Sequence, residues 1–157
     1  MALGWLFHQV ESRLILRDLG AADRLAWRRM YHALFPGEGL HLLDAEIDRI
    51  LVAPNRAAFC AEEDGALLGF AEYAVRPWAN GCISQPVAFL EGIWVEPAHR
   101  HRHVGQALLA HVEAYARQAG FVELGSDVLA DNQAGLGFHR NSGFEETETA
   151  IYFRKAL

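Results

Sequence analysis

Two short runs carry the residue types that do chemistry. In Arg102-His-Val-Gly-Gln-Ala107 a glycine and a small residue open a helical pattern. A helix N-terminus presents unpaired backbone N–H groups and the positive end of the dipole, so it suits a pyrophosphate. Gly105 lets the backbone approach phosphate oxygens, Ala107 keeps the first turn uncrowded, and Arg100 and Arg102 add positive charge at the rim. The hexapeptide alone reads equally well as a solvated basic loop before an ordinary helix, because short glycine motifs match by chance. His99, His101 and His103 alternate, which invites a metal reading. Arginines separate them and no carboxylate pair stands near, so no metal is expected.

The second run is Phe89-Leu-Glu-Gly-Ile93. In an extended strand the alternation partners of Glu91 are Phe89, Ile93 and Val95, so a carboxylate shares a largely apolar face. Partial burial raises the pKa of such a group toward that of a useful base. Gly92 beside it permits a bulge that splays the strand and opens a slot. A structural carboxylate paired with an arginine is the competing reading. Asp127, after Ser126, reads from its residue type as a helix or turn cap. The sequence presents no serine or cysteine with an evident base partner, which argues against a covalent intermediate.

These residues need a frame, and the elements alternate in type. Leu14 to Leu19 reads as a strand and Ala21 to Phe35 as a helix, with Leu25, Met30 and Leu34 in rough helical phase and Pro36–Gly37 as its stop. A second helix is expected over Asp44 to Val52. Ala57 to Glu62 and Leu67 to Val75 form a hairpin around Glu63–Asp64–Gly65. Pro86 to Val95 is a strand stopped by Pro97. Val104 to Ala119 is the strongest helix, with Val104, Leu108, Val112, Tyr115 and Ala119 as its stripe and Gly120 as its cap. Phe121 to Leu129 is expected as strand, a short helix runs from near Asn132 to before Gly143, and Phe144 to Arg154 is expected as the last strand. Gly135 and Gly137 interrupt that short helix at about 1 kcal/mol each. The resulting order, β-α-α-β-β-β-α-β-α-β, is an α/β (α+β) arrangement: a mixed sheet with helices on both faces.

The 157 residues suit one domain, large enough to bury roughly 70% of the unfolded surface. A formal charge of −6 argues against a nucleic-acid partner, which needs a basic face, and is compatible with a cationic substrate. No apolar run approaches the roughly 20 residues needed to cross a bilayer, and Met1 to Phe7 lacks a basic start and a cleavage site. Cys60 and Cys82 lie far apart and suit reduced thiols in a cytoplasmic protein.

With these residues assembled, the chain resembles the GCN5-related N-acetyltransferase (GNAT) superfamily. Arg102 to Ala107 fits its Arg/Gln-x-x-Gly-x-Gly/Ala signature between the fourth strand and third helix, and Asn132 with Gly143–Phe144 is a second landmark. Asn80-Gly-Cys82, Phe89-Leu-Glu-Gly-Ile93, Ser126–Asp127 and Gly143-Phe-Glu-Glu-Thr-Glu148 with Phe153-Arg-Lys155 look like the aminoglycoside 6′-N-acetyltransferases within it. The resemblance spans about Leu14 to Leu157 and leaves residues 1–12 as an extension of no assigned role.

It implies a GNAT fold, a mostly antiparallel sheet splayed at the fourth strand, and acetyl-CoA as co-substrate. The donor is then held by Ile93, Trp94 and Val95 along the strand edge, by Arg102, His103, Val104, Gly105, Gln106 and Ala107, and by Asn132 and His139. A backbone N–H of the strand serves the oxyanion. Glu91 is implied as a catalytic and substrate-binding group, with Asp127, Trp78, Phe35 and Tyr152 around an aminoglycoside; Phe35 and Tyr152 suit the core as well. His139 falls where many members carry a tyrosine that protonates the departing thiolate, though packing against CoA fits it too. A polyamine, another small amine or a peptide N-terminus is the alternative acceptor, and an acyl-CoA-binding module without catalysis a further one. By analogy the resemblance implies a homodimer using C-terminal strands, with Ala150 to Phe153 contributing.

Overall fold

The computed structural model describes residues 13–157. The extension 1–12 therefore lies outside the described residues. Five strands form one sheet in the order β1-β2-β3-β4-β5: β1 (Ile15–Asp18), β2 (Arg56–Glu63), β3 (Ala66–Arg76), β4 (Val87–Val95) and β5 (Leu124–Ser126). The first four are antiparallel neighbours, and β5 runs parallel to β4. The expected mixed, mostly antiparallel sheet is present. Asp64 and Gly65 turn the β2–β3 hairpin, both with positive φ, the pairing that a two-residue turn matched to strand twist demands.

Helices α1 (Arg24–Leu34) and α2 (Leu40–Val52) cover one face. Trp27, Met30 and Tyr31 from α1 and Leu43, Ile47 and Ile50 from α2 pack there on Ala58, Cys60 and Phe70. Helix α3 (Val104–Gln118) covers the other, setting Val104, Leu108, Leu109, Val112 and Ala116 against Phe59, Ala71, Tyr73, Ala88 and Leu90. Helix α4 (Gln133–Asn141) joins the α3 side through Phe138. Among the described residues, no helix is long and apolar enough to cross a membrane.

Several expectations change. Leu25 is 75% exposed; it stands five residues before Met30, and the buried stripe of α1 instead follows 27, 30, 31 and 34. In α3, Ala116 takes the core position while Tyr115 and Ala119 face outward, although Tyr115 still packs edge-on against Phe59 and Tyr73. Helix α2 begins four residues before Asp44. The strand expected over Phe121 to Leu129 shrinks to the three residues that find a partner on β4. Phe144 to Arg154 forms no strand, because among the described residues no neighbouring edge pairs with it, and Ile151, Tyr152 and Phe153 are exposed.

Candidate active site

The site is built where β4 stops pairing. Strand β5 meets β4 at Ala88, Phe89 and Leu90 alone, while β4 continues to Val95 along β3. The two strands therefore part just beyond Leu90 and Ser126. The cause lies on β4 itself: the β3 register runs Glu72 to Gly92 and then Tyr73 to Leu90, so Glu91 is the extra residue of a bulge. Gly92 leaves room there for the helix side chains: a Cβ would lie 2.9 Å from Leu34 Cδ2 and 3.6 Å from the Phe35 ring.

The bulge changes the phase of the strand, and this corrects one expectation. Ile93 and Val95 pack on the α3 side, whereas Phe89 belongs to a small cluster with Ala79 and Val87 on the other face, and Trp94 packs toward α1 and α2. Glu91 thus keeps company with Phe89 but not with Ile93 and Val95.

On the donor side, α3 opens with His103 in the left-handed region and no side chain capping its N-terminus. His101 is left-handed as well, so the loop turns twice within three residues. The amides of Val104, Gly105 and Gln106 are free of a side-chain cap, which is what a pyrophosphate needs, so the segment fits the phosphate end of CoA. The reason for Gly105 differs from the expected one: its Cβ would meet the Phe138 ring at 3.1 Å and Val95 at 3.7 Å, so glycine admits α4 against the first turn. Val104 is core, Gln106 and His103 are exposed, and Ala107 closes the first turn onto the His103 carbonyl. Arg102 leans away, between His99 Nδ1 at 2.9 Å and Glu63 at 3.2 Å. Arg100 donates to the Val95 carbonyl and lies over the Trp94 ring. Among the described residues no cluster of potential metal ligands occurs.

Asn132 caps α4, its side chain accepting from the Gly135 amide at 2.9 Å. Gly135 is needed for that closeness, because a Cβ would fall 2.6 Å from Val128 Cγ2 and 2.7 Å from Asn132 Nδ2. Gly137 faces open space, and nothing in the structure explains it.

On the acceptor side Glu91 is forked by Arg76, Nε to Oε1 at 2.8 Å and Nη2 to Oε2 at 2.5 Å. The arginine pairing weighed as an alternative is thus present. Arg76 also stacks 3.5 Å above the Phe89 ring, and Asp127 and Tyr152 lie near enough to act on its charge; the Glu91 hydrogen bond is the main reason its pKa is raised. Glu91 is the residue bonded to this guanidinium, while Asp127 and Tyr152 act on it only through their charge. Tyr152 lies on an exposed segment rather than on a strand. Phe35 is partly buried, edge-on to Tyr31 and beside Gly92. Trp78 sits 61% exposed on the loop after β3.

Three features escaped the sequence. Arg76 was invisible because its partner lies on the neighbouring strand. Glu72, 2% exposed opposite Gly92, is the buried charged residue of the core, and burial pushes its carboxyl up to about 7 against the opposing pull of Arg56. The alternation Phe70, Glu72, Ala74 was the available signal. Finally, Ser126 Oγ stands 2.9 Å from His139 Nε2, a strand-to-helix pairing that no spacing in the sequence displays.

A splayed β4–β5 fork facing an uncapped helix N-terminus defines a class, and the comparisons agree with it. Residues 24–144 match the model of the acetyltransferase (GNAT) family, and the chain belongs to that family. It is 42% identical over 143 residues to an aminoglycoside N(6′)-acetyltransferase type 1 of Salmonella enteritidis, covering 89% of this chain and 97% of the relative. Against the enzyme of that name from Stenotrophomonas maltophilia it is 39% identical over 150 residues, 94% of this chain and 97% of the other. Among solved structures, the aminoglycoside N-acetyltransferase AAC(6′)-Iy in complex with CoA superimposes with a TM-score of 0.88 at 37% identity, over 93% of this chain and 97% of that one. AAC(6′)-Iy with the bisubstrate analogue CoA-S-monomethyl-acetylneamine gives 0.87 at 37% identity, over 93% and 100%. The expected GNAT fold is confirmed.

Proposed function

We propose that this protein is an aminoglycoside 6′-N-acetyltransferase, moving acetyl from acetyl-CoA to the drug's 6′-amine by direct attack in a ternary complex and so conferring resistance. The observation that carries the acceptor reading is the position of Glu91. A carboxylate displayed on a bulge at the mouth of the β4–β5 fork, with Asp127 following the last residue of β5, suits a polycationic amine. Relatives that share the frame over nearly their whole length bear the name of this activity.

The chain's residues divide the work by geometry. The first turn of α3 binds the pyrophosphate, and the free edge of β4 from Ile93 to Val95 pairs with the pantetheine as an added strand. A β4 amide supports the oxyanion as the amine nitrogen bonds to the acetyl carbon. Glu91 holds the 6′-ammonium and passes its proton to water, because only a neutral amine attacks. Arg76 keeps the Glu91 carboxylate in plane, leaving a further lone pair on each oxygen for the substrate. Asp127, Tyr152, Trp78 and Phe35 receive the remaining amines and the sugar faces.

Acting in the cytoplasm, where Cys60 and Cys82 stay reduced, the protein works as a homodimer. Its exposed Ile151, Tyr152 and Phe153 pair with a second copy and bury a surface that one chain leaves in water. Incubation of tobramycin or kanamycin B with the protein and acetyl-CoA is expected to add one acetyl group by mass spectrometry. Absence of that gain, with CoA release on polyamines or peptides instead, moves the acceptor assignment. CoA binding without turnover of any amine removes the enzyme.

A further inference from the structure

The pairing of Ser126 with His139 has a direction fixed by its surroundings. His139 Nδ1 lies 2.7 Å from the Gly135 carbonyl oxygen, one turn earlier on α4. A carbonyl only accepts, so Nδ1 carries a hydrogen. In the neutral ring Nε2 is then bare, and it faces Ser126 Oγ at 2.9 Å. The same hydroxyl lies 3.2 Å from the Leu90 carbonyl oxygen. It has one hydrogen and two acceptors in reach, so its rotor has two settings. With a neutral ring it donates to Nε2. With an imidazolium it accepts from Nε2–H and its own hydrogen is free to turn elsewhere.

Phe138 and Phe144 hold the ring, edge-on and tilted, at centroid distances of 5.7 and 5.0 Å. Ser126 is the last residue of β5, level with Leu90, and one residue from Glu91 across the parting strands. The hydroxyl, not the imidazole, is thus the group presented at the apex of the fork.

We propose that Ser126 is the immediate proton donor to the leaving sulfur, and that His139 is a positioning residue that supplies the proton through it. This rests on the acetyl-transfer reading above. As the tetrahedral adduct collapses, the C–S bond breaks and its electron pair stays on sulfur. Ser126 gives its hydroxyl proton to that sulfur while Nε2–H of the imidazolium restores the hydroxyl. His139 ends neutral, still tied through Nδ1 to Gly135, and takes its next proton from water. A direct His139 acid would need Nε2 to face the sulfur, whereas here that nitrogen faces Ser126.

The test combines three readouts on the full chain. In the free, nitrogen-15-labelled enzyme at mildly alkaline pH, His139 is expected protonated at Nδ1 and bare at Nε2, with the Nε2 resonance displaced in Ser126→Ala. In steady state with tobramycin, Ser126→Ala is expected to lower kcat about 10²- to 10³-fold at an unchanged KM for acetyl-CoA. Ser126→Thr, which keeps the hydroxyl, is expected to stay within about tenfold of the parent, and His139→Ala to add little on the Ser126→Ala background. Where chemistry limits the rate, the dependence on deuterium fraction is expected to be curved in the parent, for two protons in flight, and linear in Ser126→Ala. A full kcat in Ser126→Ala, losses that add, or an Nε2-protonated neutral ring overturns the proposal. No turnover by the parent enzyme refutes the acetyl-transfer reading instead, and the resonance measurement in the free enzyme still decides the pairing.

Discussion

Replacing Arg76 by alanine tests the acceptor side at its least exposed joint. The side chains of Arg76 and Glu91 are 35% and 16% exposed. A surface pair contributes under about 1 kcal/mol, and a fully buried one loses about 3–5 kcal/mol when one partner goes, so a two-bonded pair at this depth, discounted for solvent screening, loses about 1–2 kcal/mol. The stacking on Phe89 adds about 0.5–1 kcal/mol. At about 2–4 °C per kcal/mol for a chain of this size, Tm is expected to fall by about 3–12 °C. Activity separates orientation from charge. Freed of the fork, Glu91 samples several rotamers, and kcat/KM for tobramycin is expected to fall about tenfold. Arg76→Lys retains charge without the fork and should land between the two. Thermal unfolding followed by circular dichroism and initial rates of CoA release supply the numbers. If Arg76→Ala matches the parent in both Tm and kcat/KM, the fork does not position Glu91 and the reasoning fails.

Three further perturbations probe other parts of the frame. Gly105→Val places a branched Cβ where 3.1 Å separates it from the Phe138 ring, so α4 must shift from the α3 terminus; the KM for acetyl-CoA is expected to rise about tenfold or more, with the far-ultraviolet spectrum unchanged. Gly135→Ala gains helix propensity yet meets Val128 and the capping Asn132 below 3 Å, so a net loss of about 1–3 kcal/mol is expected from denaturant unfolding, and a stabilised variant would contradict the clash. Glu72 has a folded pKa raised to about 7, so the native state holds the extra proton. Its contribution is therefore most favourable below the unfolded carboxyl pKa and declines as pH rises toward 7. The Tm of the parent minus that of Glu72→Gln is expected to fall from pH 5 to pH 7; a flat difference would mean that the carboxyl titrates normally.

What was legible in the sequence was local. Arg102 to Ala107 announced a helix terminus because the glycine, the small residue and the following stripe all lie within two turns. Gly92 after Glu91 announced a bulge for the same reason, and the bulge is present. What was hidden depends on partners chosen by the fold. Arg76 and Glu91 are joined across two strands, and Ser126 and His139 join a strand to a helix, so neither pairing follows from spacing. The apolar alternation of Phe144 to Arg154 looked like a strand, but alternation describes a half-buried surface and cannot supply the neighbouring edge that makes a strand. Glu91 shows the limit from both sides. Its residue type and neighbourhood were readable, while its facing was misassigned by one phase because the inserted residue reverses every side chain beyond it.

In the proposed mechanism donor and acceptor meet at the fork between Leu90 and Ser126. The most direct measurement is a crystal structure of the protein with CoA and tobramycin bound. The pyrophosphate is expected on the amides of Val104, Gly105 and Gln106, the sulfur beside Ser126 Oγ, and the 6′-nitrogen within hydrogen-bonding reach of Glu91. An aminoglycoside bound elsewhere, with its 6′-nitrogen remote from Glu91 and from the CoA sulfur, would contradict it.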